Sequence, residues 1–233
     1  MTVKPPVFLG WDQPGLVSAV EYLDQRFGQS RAIDLRKVVI VVPASRAGRR
    51  LLELLIDRAQ GTGRAFFPPD IITQGRLPER LYQPKRPFAE ELVLELAWIK
   101  ALRTCDAATV QAVFPVLPAE SDLTTWLALG QTLSRLHREL AADALDFAAV
   151  AHRGATLKEF RETARWQSLA AIQSAYLRLL DDLELWDLQT ARLVAIRQAE
   201  CRTQSEIVLL AVADMNRAEQ LMLDQVRDHV TSL

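Results

Sequence analysis

Val38-Val39-Ile40-Val41-Val42-Pro43-Ala44-Ser45-Arg46-Ala47-Gly48-Arg49-Arg50-Leu51 is the segment on which the fold reading turns. Five β-branched residues without polar alternation predict a strand buried on both faces, the pattern of a parallel sheet covered by helices. Pro43 ends the run, and a small-residue turn leads into a basic helix start. Leu51, Leu52, Leu55 and Ile56 then supply that helix with an apolar face. Working back, Val7-Phe8-Leu9 is short, apolar and bounded by Pro6 and Gly10, which predicts a buried strand. A turn at Gly10–Gly15 follows, then a helix marked by Leu16, Val20, Leu23 and Phe27. Working forward, Asp70 to Thr73 gives a third, very short strand.

From Pro87 the pattern is helical for more than a hundred residues. Trp126, Leu129, Leu133, Leu136 and Leu140 recur at three- and four-residue steps, as do Leu169, Ile172, Tyr176, Leu179 and Leu183. Such seams predict helices packed within one bundle, with an intermolecular coiled coil as the alternative. Ile207 to Leu210 returns to β-type sequence, and a helix from about Asn216 to Val230 is expected after it. The expected order is β-α-β-α-β, a helical insert, then β-α. Residues 1–86 with 204–233 form the expected α/β domain, and 87–203 the insert.

The chain carries 28 Lys+Arg against 29 Asp+Glu over 233 residues, so it is no basic coat protein for nucleic acid. The charge is uneven, however. Residues 1–103 hold 16 Lys+Arg against 11 Asp+Glu, and residues 104–233 hold 12 against 18. An anionic partner therefore favours the first half, although a helical second half rich in surface Glu and Asp gives the same split. No apolar run approaches the roughly 20 residues of a membrane span, and Met1 to Trp11 lacks a signal-peptide core. Cys105 and Cys201 match no ligand spacing, and His137, His152 and His229 are scattered. A reducing cytoplasm and no metal site are the expectations.

Gly10-Trp11-Asp12-Gln13-Pro14-Gly15-Leu16-Val17 has the glycine spacing of a phosphate-binding loop between strand and helix. Leu16 stands at the lysine position and Val17 at the hydroxyl position, so neither cation nor Mg²⁺ ligand is supplied. An ordinary turn explains the segment equally well. In the 38–51 segment, a helix N-terminus with free N–H groups attracts phosphate. Ser45, Arg46, Arg49 and Arg50 add donors, and a solvated basic face is the plain alternative. Thr73-Gln74-Gly75-Arg76-Leu77 follows the third strand, with Arg76, Arg80, Lys85 and Arg86 as a possible basic rim. Ile207-Val208-Leu209-Leu210-Ala211-Val212-Ala213-Asp214-Met215-Asn216-Arg217-Ala218-Glu219-Gln220 is a strand running into a turn and a helix.

Taken in order, these four segments resemble the first half of UvrD-like superfamily 1 helicases, and more closely the AddB-type subunits of helicase–nuclease complexes. The 38–51 segment is similar to their "VP-x-x-R-A-x-R-x-L" stretch, and residues 73–77 to the "T-F-H-S-L" element, with Thr73 and Leu77 identical. Residues 207–220 resemble the strand that ends in Asp-Glu in active motors. Ala211 and Val212 stand where those acids would be, and Gln220 where a later glutamine falls. The resemblance implies a P-loop NTPase-like parallel sheet (helicase 1A-like) with a large all-helical insert (1B-like). It implies no ATP hydrolysis, because the lysine, the metal hydroxyl and both acids are replaced. No cofactor is expected in this chain.

By the same resemblance, the chain is expected to bind or guide single-stranded DNA or DNA ends during double-strand-break processing. Ser45, Arg46, Arg49, Arg50, Thr73 and Arg76 are the DNA-binding candidates, and an AddA-like motor subunit is the implied partner. A PD-(D/E)XK nuclease domain is implied further along a longer parent, with no such motif in these residues. The alternative function is a protein-interaction scaffold, in which Trp98, Trp126, Trp166 and Trp186 on the insert dock a partner.

Overall fold

The computed structural model describes residues 5–233, and residues 1–4 of the first expected domain lie outside it. The protein is α/β, with parallel sheets and helices, and divides into two compact units. The first comprises the chain up to Gln83, Ala199–Met215 and Glu219–Leu233; the second comprises Pro84–Gln198 with Asn216–Ala218.

In the first unit the order begins α1 (Gly15–Phe27), β1 (Ala32–Asp34), β2 (Val38–Val42), α2 (Ser45–Gly61), β3 (Ala65–Phe67), β4 (Asp70–Thr73) and α3 (Pro78–Leu81). In the second unit come α4 (Glu91–Thr104), α5 (Ala107–Gln111), α6 (Leu123–Ala142), α7 (Phe147–Gly154), α8 (Thr163–Asp182) and α9 (Leu188–Arg197). The chain then runs through β5 (Glu206–Leu209), α10 (Arg217–Asp224) and β6 (Val230–Ser232).

The main sheet has the order β4-β2-β5-β6, with every neighbouring pair parallel. β2 is central. Val38, Ile40 and Val42 join Leu23, Leu51 and Leu55 in one apolar cluster, and Val41 on the opposite face is also fully buried. Burying a side chain of this size is worth about 1.5–3 kcal/mol, so the unbroken β-branched run pays off on both faces only in the middle of a covered sheet. β1 and β3 form a separate two-stranded parallel sheet that the sequence reading did not anticipate.

Two expectations at the sheet edge are corrected. Val7–Leu9 is not a strand and is not fully buried. Its backbone bond to the sheet runs from Val7 N–H to Ser232 C=O at 2.8 Å, and Phe8 is 72% exposed. Pro5 and Pro6 lack N–H groups and Gly10 turns the chain at φ +78°, so too little of the segment remains for a ladder. The terminal helix ends at Asp224 rather than near Val230, because Val230-Thr231-Ser232 adds β6 to the sheet beside β5.

The second unit is all helical. Trp98 of α4 stacks on Tyr176 of α8, with centroids 3.9 Å apart and planes within 6°. Phe147, Leu102, Leu133 and Ile172 pack around them. The seam residues Trp126, Leu133, Leu169, Ile172 and Tyr176 are buried, while Leu183 is exposed. Trp98 and Trp126 are core, and Trp166 packs against that core half-buried, as aromatic residues on amphipathic helices usually do. Trp98 and Trp126 are therefore not free to dock a partner, while Trp186, like Trp166, is half-buried. Asp106, Asp122, Asp146 and Asp187 cap α5, α6, α7 and α9 by accepting a backbone N–H three residues on.

Candidate functional site

α2 starts at Ser45, with Ala44 as an extended N-cap and no side chain capping the helix. Its first turn contains no acidic residue. The free N–H groups and the positive end of the helix dipole therefore remain available to an anion. Gly48 allows this turn to lie close on the sheet: a Cβ there would stand 2.8 Å from Ile71 Cγ2 and 3.4 Å from Val42 Cγ2.

Close packing brings the end of β4 beside the start of α2. Ser45, Arg49, Thr73 and Arg76 line one groove of about 620 Å³, together with Pro68, Pro69 and Leu52. Among the described residues no acidic side chain lines it. Arg49 and Arg76 have no ion-pair partner among the described residues, so their charge is unspent. Four of the six candidate DNA-binding residues thus come together from two segments of sequence. The other two do not join them. Arg46 is exposed outside the groove, and Arg50 is engaged with Glu53 at 2.8 Å. Of the wider rim, Arg80 pairs with Asp70 and Arg86 with Asp181.

Gln74, between Thr73 and Arg76, was not singled out by sequence. Its Nε2 donates to the Asp214 carbonyl at 2.7 Å and to Glu219 Oε2 at 2.8 Å. It ties the groove to the strand–turn–helix after β5. Gln220 lies exposed and donates to the Met215 carbonyl.

The Gly10–Gly15 turn borders a second cavity, of about 480 Å³. Gly10, Gly15 and Leu16 line it together with Ala211, Pro43 and Ala47, and among the described residues no ionisable or hydroxyl side chain lines it. Val17 lies half-buried in the first turn of α1, and Val212 lies half-buried beyond the end of β5. Ala211 takes a left-handed backbone at φ +54°, and its N–H donates to the Leu233 carbonyl. An anion entering this cavity would lose hydration without gaining a countercharge.

The second unit holds a buried polar cluster that the scattered histidines gave no hint of. His137 Nε2 lies 3.0 Å from Asp187 Oδ1, and Gln173 Nε2 lies 2.9 Å from His137 Nδ1. Because Gln173 Oε1 accepts the Phe147 N–H, its amide donates to Nδ1, which makes His137 the Nε2–H tautomer donating to Asp187. Asp187 also accepts from the Thr190 backbone and hydroxyl. Its carboxyl sits below the usual value: burial opposes this, and the His137 and Thr190 bonds outweigh it. A polar cleft of about 740 Å³ borders the cluster. Both ring nitrogens are engaged and His137 is 4% exposed, so the pair is a fastening between α6, α8 and α9, with no nitrogen left for proton transfer. Among the described residues no cluster of His, Cys, Asp and Glu suits a metal ion, and both cysteines are free thiols.

No protein-family model matches the chain, and no curated protein is significantly similar to it. No helix among the described residues is long and apolar enough to cross a membrane.

Proposed function

We propose that the chain is a catalytically inactive, helicase-like domain of the AddB type that binds or guides single-stranded DNA at the α2–β4 groove. The finer fold reading, a P-loop-like sheet with a large helical insert, belongs to the same proposal, as do a cytoplasmic setting and an AddA-like motor partner. What carries it is the convergence of Ser45 and Arg49 with Thr73 and Arg76 on one groove without acids. These side chains come from the two segments that resemble the strand-binding elements of such helicases. A helix N-terminus and two unpaired guanidiniums suit consecutive phosphates, which they would meet with charge-assisted hydrogen bonds. The loss of ATP chemistry is supported by the apolar lining around Leu16 and Ala211.

The test is binding of a labelled single strand across a salt series. Log K is expected to fall with log salt by about 0.7 per phosphate contacted. Arg49→Ala combined with Arg76→Ala should weaken binding and flatten that slope. If the unaltered chain binds no single strand at low salt, or the double variant behaves like it, the nucleic-acid role is wrong.

A second reading, a scaffold for a protein partner, rests on α4. Leu92 and Leu96 lie one turn apart and are 62% and 50% exposed, while Trp98, Ile99 and Leu102 fill the core. A helix apolar on more than its core-facing stripe offers an outer face to another protein. Leu92→Glu together with Leu96→Glu should abolish capture of such a partner and leave single-strand binding intact.

A further inference from the structure

The least expected exposed side chains in the first unit are Trp11, 88% exposed, and Phe8, 72% exposed. Their rings meet edge to face, with centroids 5.5 Å apart at 66°. Gly10 between them turns the backbone at φ +78°, a conformation that holds both aromatics on one short loop. Phe8 lines the apolar cavity whose wall includes Ala47 of α2. Ala47 lies two residues from both Ser45 and Arg49, about 200° around the helix from each. The aromatic loop and the basic groove therefore flank opposite sides of the same helical turn, and Val42 contributes to both cavities.

We propose that Phe8 and Trp11 form a base-stacking platform for a single-stranded nucleic acid that passes over the first turn of α2 from the Ser45–Arg49–Thr73–Arg76 groove. This rests on the reading of that groove and adds to it where the bases go. Phosphates have cations and helix N–H groups on one side of the turn. The other side offers an open indole face and an apolar wall, with the Asp12 carboxylate on the same loop beside Gly10, which suits a base and repels a phosphate. Every base has a π-face, so the platform is indifferent to sequence, and stacking on an aromatic side chain is worth a substantial part of single-strand affinity. A protein partner would also be drawn to an exposed tryptophan, but the unpaired arginines across the same helical turn favour a polyanion that carries flat apolar groups.

The experiment compares two labelled strands of equal length, an oligothymidylate and its abasic counterpart, on the 233-residue chain. Trp11→Ala should weaken oligothymidylate binding about tenfold and leave abasic-strand binding unchanged. Trp11→Phe, which retains a stacking face, should stay close to the unaltered chain. The platform is overturned if Trp11→Ala binds oligothymidylate as tightly as the unaltered chain, or if it weakens both strands equally. An unaltered chain that binds neither strand at low salt overturns the groove reading, and the platform with it. Abasic-strand binding that is lost in Arg49→Ala with Arg76→Ala, alongside an inert Trp11→Ala, keeps the groove and removes only the platform.

Discussion

Leu16, in the first turn of α1, and Ala211, just beyond β5, line the same cavity, although nearly the whole chain separates them in sequence. Under the proposed helicase-like reading, these are the places where a motor would set a lysine and an acid across a triphosphate. Here the cavity has an apolar lining, so ATP with Mg²⁺ would leave water without compensation. Titration of ATP–Mg²⁺ into the chain should give no saturable heat. A saturating isotherm would remove the inactive reading, and the single variant Leu16→Ala would then show whether this cavity is the binding site.

Gly48 is the point at which the fold and the groove depend on the same atom. A methyl group there would meet Ile71 Cγ2 at 2.8 Å and drive α2 away from β4. Gly48→Ala should cost about 1–3 kcal/mol, the usual range for overpacking. The gain in helix propensity, about 1 kcal/mol, offsets only part of that. In an Ile71→Ala background the penalty should shrink, because the clashing methyl is gone. Denaturant melts of the two single variants and the double variant give the coupling directly. If the coupling is zero, the close approach is not what constrains residue 48.

Two helices end in the same way without the residue that usually permits it. After α6, Leu145 N–H donates to the Leu140 carbonyl and Ala144 N–H to the Ala141 carbonyl. After α8, Leu185 N–H donates to the Leu180 carbonyl and Glu184 N–H to the Asp181 carbonyl. Both are Schellman closures, with Ala144 at φ +58° and Glu184 at φ +55°, where glycine is favoured. Left-handed backbone costs a residue with a Cβ about 1–2 kcal/mol, and the added freedom of glycine in the unfolded chain returns part of that cost. Ala144→Gly and Glu184→Gly should each therefore stabilise by about 0.5–1 kcal/mol, a rise in melting temperature of about 2 °C. A fall in melting temperature for either variant would contradict this account of the helix ends.

The same absence of glycine explains part of what sequence could not show. Periodicity found α1, β2, α2 and β4 because each carries its own signal: an apolar stripe, an unbroken β-branched run, a proline stop. β1 and β3 have three residues each, and Phe67 faces outward under the Arg36 guanidinium, so neither strand has an apolar pattern of its own. They exist through pairing with each other. Four capping aspartates were legible in principle, three of them as Asp-x-x-Thr, at Asp106, Asp122 and Asp187, each just before an apolar helix. In the groove, the residue types were readable but their grouping was not. Arg46 and Arg50 carry the same charge as Arg49 and share its segment. Only the angle of α2 on the sheet decides that Arg49 faces Thr73 and Arg76 while Arg50 turns to Glu53.

Asp24 gives a pH dependence with a definite sign. Its side chain, 7% exposed in α1, accepts from Arg64 Nη2 at 2.6 Å and from Arg58 Nε at 2.8 Å, both on Oδ2. Oδ1 is buried without a hydrogen bond, so the carboxylate depends on the two guanidiniums for its charge balance. The Arg64 bond lowers the carboxyl pKa most, burial opposes it, and Arg58 adds to the lowering, leaving it below its usual value. A depressed folded-state pKa means that this group stabilises the fold above the unfolded carboxyl value of about 4 and loses that contribution as pH falls through the lower folded value. Asp24→Asn should therefore cost stability at neutral pH, about 2 kcal/mol given that Arg58 remains partly in water. The difference between the variant and the unaltered chain should narrow as the pH is taken below about 4. Melts of both chains from neutral to acid pH test it: a difference that stays constant across that range would show that Asp24 acts through shape, with its charge contributing nothing.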